Sequence, residues 1–199
     1  MKTILSTLLI IASTTAFAAN AEKPGAPDAK MQEMMRAFQE AAAPGQPHKV
    51  LAGMAGEWTY TSKAWMSADG KAEESSGSSS MKMILGGRWL QHEIKGTTMG
   101  QAFEGIGLTG YNNVKKKYET IWLDTMSTGA MVGEGDYSPK TKILADKGEY
   151  SCPITSSKKN SYRGEWKITS KNKMTYSMYG TMPNETKEIK QMEINFTRK

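Results

Sequence analysis

In 199 residues the chain carries 26 Lys and Arg against 20 Asp and Glu, a formal net charge of +6. The basic residues are scattered, apart from Lys115-Lys116-Lys117 and Lys158-Lys159 in expected turns. The basic stripe with interleaved aromatics that a nucleic-acid partner needs is missing, so that class is excluded. Cys152 stands alone and rules out an intrachain disulfide; it is expected to be buried as a small hydrophobe, with a reactive thiol as the alternative.

Residues 1–18 read as a signal peptide. Lys2 supplies the positive start, Ile4 to Ala12 the apolar stretch, and Ala16-Phe17-Ala18 the small residues at the cleavage positions. Ala19-Asn20-Ala21 offers a second cut, and because no Cys sits at the junction a lipid anchor is not expected there. The expected location is therefore periplasmic or secreted. Residues 19–27, with Pro24, Gly25 and Pro27, read as a linker. Residues 28–199 follow as a single domain, without the run of about 18 apolar residues that a membrane helix needs. A helix is expected over 28–43, capped by Asp28 and docked through the stripe Met31, Met34, Met35, Phe38 and Ala42; Pro44, Gly45 and Pro47 end it.

From Gly56 the pattern changes to period two. Strands are expected from Gly56, then over 74–85, 88–96, 103–111, 118–124, 131–137, 142–150, 162–169, 174–182 and 188–197. Asp69-Gly70, Gly86-Gly87, Asn112-Asn113, Pro139-Lys140, Lys171-Asn172 and Pro183-Asn184 mark turns. About ten short strands with short connections favour an all-β, closed antiparallel up-and-down barrel, because closure removes exposed edges. A sandwich is the alternative.

No CxxC, HExxH, P-loop or GxSxG pattern occurs, and no resident cofactor or metal is expected. The run Gly105-Ile106-Gly107-Leu108-Thr109-Gly110 matches GxGxxG in letters but lies within a strand. Its glycines therefore signal a bend or a close backbone approach rather than a dinucleotide. His92 and Asp124 are the one pair with a catalytic reading, against a structural histidine and a turn-capping carboxylate. The methionines offer a thioether copper(I) reading through Met31, Met34 and Met35 or Met81 and Met83, against gap-filling in a core. Aromatic residues share strand faces: Trp58 with Tyr60, Tyr118 with Trp122, Tyr162 with Trp166, and Tyr176 with Met174 and Met178. In a barrel of this width such faces converge on a cavity or on a packed core.

Gly56-Glu57-Trp58, just after the plug-like segment His48 to Met54, resembles the G-x-W start of lipocalin-type, or calycin, barrels. That resemblance implies a basic residue of the last strand over the tryptophan, and Arg198 is placed for the role. A longer ordered set comprises His48, Leu51, Gly56-x-Trp58, Ile84-Leu85-Gly86-Gly87-Arg88-Trp89-Leu90, Phe103-Glu104-Gly105-x-Gly107, Gly110-Tyr111-Asn112, Tyr118, Trp122-Leu123-Asp124 and Ser127-Thr128-Gly129. It resembles the bacterial family called domain of unknown function 1579 (DUF1579). The resemblance implies a calycin-like barrel and carries no activity with it. Nitrobindin-like ten-strand barrels hold haem through a late histidine, and this sequence has none after His92, so haem ligation by that route is not expected.

The expected function is a binding module for a small apolar or aromatic molecule. Trp58, Tyr118, Trp122, Trp166 and Tyr176 would line its walls, and Arg88 or His92 would orient a polar end. The alternative is a structural or stress-related envelope protein acting through its surface. Less weight falls on an enzyme, a haem binder or a copper binder, and a homo-oligomer is left open.

Overall fold

The computed structural model describes residues 28–67, 70–152, 157–182 and 186–199. The expected signal peptide, the linker, Asp69 and the Pro183-Asn184 turn lie outside the described residues, as does the side chain of Cys152. The chain divides into two units at Arg36.

Helix α1 spans Ala29–Ala42 and is capped as expected, the Met31 amide donating to Asp28 Oδ1 at 2.7 Å. Its apolar stripe is not buried: Met31, Met34 and Met35 are 44–47% exposed and Phe38 69%. A second helix, α2 (Gln46–Met54), stands where a helix stop and a plug-like segment were expected. Proline near the first turn starts a helix as readily as it ends one, because its missing N–H is unneeded there. Pro47 does this here, while the Gly45 amide donates to His48 Nδ1 at 2.9 Å.

Ten strands follow: β1 (Gly56–Ala64), β2 (Glu73–Ile84), β3 (Trp89–Thr98), β4 (Gln101–Asn112), β5 (Lys117–Asp124), β6 (Met131–Ser138), β7 (Ile143–Cys152), β8 (Ser157–Ser170), β9 (Lys173–Thr181) and β10 (Glu188–Arg198). Each pairs antiparallel with its sequence neighbours, and β10 returns to β1, closing the barrel. The Met99-Gly100 turn joins β3 to β4 with both residues at positive φ, the two-residue geometry that matches strand twist.

One end of the barrel is solid. Leu51 and Met54 of α2 are buried with Trp58, Leu90, Leu144, Met174 and Phe196 in one core, and the Trp58 indole donates to the Met54 carbonyl at 3.1 Å. Arg198 fastens this end from β10. Its guanidinium carbon lies 4.1 Å from the Trp58 ring, and the group donates to the carbonyls of Gly53, Ala55 and Lys171. Gly56, at φ 146°, leaves room for it: a Cβ there would meet Arg198 Nη1 at 1.9 Å. This close approach is the physical content of the G-x-W start.

Candidate functional site

The opposite half of the barrel is not filled. A cavity of about 310 Å³ lies among the inward faces of the strands, at the small end of the range of ligand sites, about 300–1,000 Å³. Its wall is mostly apolar: Ile94, Phe103, Trp122, Trp166, Tyr176, Met178 and Ile194 among others, with Met126, Met131, Thr97 and Thr98 from the end away from α2. Trp122, Trp166 and Tyr176 point inward yet keep accessible surface, because they border a void and not one another's side chains alone. A hollow of about 610 Å³ on the outer wall over Glu134, Lys147, Glu149 and Lys159 is larger, but those side chains are exposed and already wetted.

His92 sits on β3 between Leu90 and Ile94 and faces this cavity. Trp122, Trp166 and Phe196 surround its ring at centroid distances of 5.7, 5.6 and 5.8 Å. It is 7% exposed, and its Nε2 has no hydrogen-bond partner. Burial pushes its pKa down to about 4, so the imidazole is neutral at pH 7. Leaving such a group unsatisfied costs about 1–3 kcal/mol, a cost that a guest in the cavity can relieve.

A second polar group enters from β7. Asp146 is 6% exposed, and its Oδ2 accepts from the Thr120 hydroxyl at 2.9 Å and the Tyr162 hydroxyl at 3.0 Å. Burial pushes its carboxyl above the usual range, while the two hydroxyls pull it back. Glycines make its space: a Cβ on Gly164 would meet Asp146 Oδ1 at 2.5 Å and the Tyr176 hydroxyl at 2.9 Å. Burial, then the charge of Asp146, pushes Tyr176 well up, so its hydroxyl stays protonated.

Asp124 has a positioning role. Its Oδ2 accepts from the Trp122 indole at 2.7 Å and its Oδ1 from the Met126 amide at 2.9 Å, so one carboxylate orients the ring and starts the following turn. Trp122 lies against bare backbone, where a Cβ on Gly105 or Gly107 would meet it at 2.4 or 3.2 Å. The glycine run on β4 is therefore a seat for a tryptophan, with Gly110 doing the same for Trp89.

Of the seven residues expected to bind a ligand, His92, Trp122, Trp166 and Tyr176 line the cavity. Trp58, Arg88 and Tyr118 do not. Trp58 is sealed beneath Arg198. Tyr118 faces inward too, but its hydroxyl donates to the Pro47 carbonyl at 3.0 Å, and burial, then Tyr111 and Tyr137, push its pKa up to about 12. Arg88 lies in the β2–β3 turn, donating to the Leu85 carbonyl, with its charge felt by His48. All three belong to the closed end. The His92–Asp124 pair shares the cavity, but each carboxylate oxygen of Asp124 is engaged elsewhere and His92 Nε2 has no partner. Met81 is core, with Met83 packed against it, and no cluster of His, Cys, Asp and Glu that could hold a metal occurs among the described residues. Sequence reading missed Asp146, Tyr162 and Thr120 as one polar cluster.

A family profile described as "Protein of unknown function (DUF1579)" matches residues 43–198. The chain belongs to the DUF1579 family. The DUF1579 barrel is also similar to two solved structures. One is Rv2717c from M. tuberculosis, at 10% identity and a TM-score of 0.58, covering 79% of this chain and 99% of that one. The other is the S-type phycobiliprotein lyase CPES from Guillardia theta, at 8% identity and a TM-score of 0.57, covering 81% and 96%. At such identities the likeness is one of fold. No curated protein matches the sequence. No described helix of this DUF1579 protein is long and apolar enough to cross a membrane.

Proposed function

We propose that this DUF1579 protein binds a small, largely apolar or aromatic molecule inside its barrel, on the far side of the membrane from where it is made. The observation that carries the reading is the buried, unpartnered His92 Nε2 facing an apolar cavity that the protein's own side chains leave unfilled. A neutral imidazole offers one donor and one acceptor, enough to orient a guest with a single polar end. The aromatic walls supply area for a flat body. One barrel of similar fold is named a lyase, but here His92 lacks the carboxylate contact that would make it a base, which favours holding over transforming.

Titration with 2-phenylethanol, followed by calorimetry and tryptophan emission, tests the site. Saturable binding with an emission change is expected. His92→Leu should weaken binding about tenfold, the worth of one hydrogen bond. The same variant should unfold at higher urea, gaining about 1–3 kcal/mol, because it removes an unsatisfied group. Absence of heat and of emission change, with His92→Leu destabilising the fold, overturns the reading. Export is checked by N-terminal sequencing of protein from the envelope fraction: a start after Ala18 or Ala21 is expected, and an intact Met1 refutes it.

A further inference from the structure

The charge inventory of the cavity narrows its guest. Among the described residues, the only ionisable acids or bases of full charge on its wall are Asp124 and Asp146; no Lys or Arg reaches it. Basic residues outnumber acidic ones in the whole chain, so this is a local inversion and not a reflection of composition. Several basic groups serve outer ion pairs or the closed end instead, as in Lys115 with Glu134, Lys117 with Asp136 and Arg198 over Trp58.

The acids differ in kind. Asp124 spends both oxygens on Trp122 and the Met126 amide. Asp146 accepts the Thr120 and Tyr162 hydroxyls on Oδ2 and a hydrogen bond from its own backbone, and its Oδ1 lies in the glycine-made gap at Gly164, which the Tyr176 hydroxyl also borders. A buried carboxylate with no cation opposite is costly, and natural proteins pair such groups. The same cavity holds an independent signal of a missing partner in His92 Nε2, which as an acceptor calls for a donor. A protonated amine has three donors and no acceptor, and aromatic faces attract cations through their quadrupoles. Trp166 and Tyr176, 4.9 Å apart by centroid, provide such faces.

We propose that the guest is a small aromatic or apolar amine, bound as its cation with the ammonium on Asp146 and its ring among Trp122, Trp166 and Tyr176. This rests on the binding reading above and adds the sign of the charge. A fatty acid or other carboxylate is disfavoured by the same two acids, since like charges in a dry site repel strongly.

A charge series on the unaltered full-length protein tests it without risk to folding. The probes are 2-phenylethylamine as cation, 2-phenylethanol as neutral analogue and 3-phenylpropionate as anion, compared by calorimetry at pH 7. The amine should bind at least tenfold tighter than the alcohol and a hundredfold tighter than the carboxylate. Asp146→Asn should erase the amine's advantage over the alcohol. Equal affinity for amine and alcohol, or a preference for the carboxylate, overturns the charge assignment while the cavity reading stands. Binding of none of the three removes both.

Discussion

The two halves of the barrel are built from the same alternation of inward apolar residues and come out differently. Near α2 the interior is solid: Leu51, Trp58 and Phe196 are each 0–1% exposed. Toward the other end, rings of equal bulk on neighbouring strands leave about 310 Å³ open. The strands do not account for the contrast, since both halves share them. The helix does: α2 fills one end, and the described residues provide no counterpart at the other. A barrel of ten strands is wider than its own side chains readily fill, and what is inserted decides where it is dry and solid.

Substitutions should divide along that line. Trp58→Ala at the solid end should cost about 3–5 kcal/mol in urea unfolding, the range for large aromatic truncations in a core. A cost below about 1 kcal/mol would show that this end is as loose as the other. Acid should come next. His92 has a folded pKa of about 4 against 6.5 unfolded, so between those values the native state binds fewer protons than the unfolded one. Its contribution is intact above pH 6.5 and lost as pH falls through 4, a change of roughly 3 kcal/mol. Asp146 acts oppositely, because its raised pKa lets acidification relieve a buried charge. The stability difference between His92→Leu and the unaltered protein, measured from pH 7 to pH 4, isolates the histidine; a flat difference would mean that His92 is hydrated. Smallest of all, Met131→Ala at the cavity wall should cost less than about 1 kcal/mol, since a half-exposed side chain beside a void has few contacts to lose.

The strands and their inward faces were legible because period two is a strong signal wherever one face meets solvent. His92, Trp122, Trp166 and Tyr176 were found by that rule. Trp58 and Tyr118 obey the same rule yet lie at the filled end, and nothing in alternation records height along the barrel. Arg88 was expected to open the strand over 88–96, but the tight reversal through Leu85, Gly86 and Gly87, all at positive φ, begins the strand one residue later. Asp146 escaped notice because its strand is ambiguous. Leu144, Asp146, Gly148 and Tyr150 form one face and Ile143, Ala145, Lys147 and Glu149 the other, with two large apolar side chains on the first and one, Ile143, on the second. The cluster with Thr120 and Tyr162 joins three strands, and no single-strand pattern reveals it.

The seam between β1 and β10 has a kinetic corollary. Trp58 pairs with Arg198 across almost the whole length of the domain, and every other strand pairing joins sequence neighbours. Local hairpins can assemble in turn, but the wall stays an open sheet with two bare edges until residues 188–198 arrive. Contacts that far apart in sequence form late and slowly. The last strand is thus the fastener of the molecule, and a chain halted before it is a sticky ribbon in search of any edge it can find.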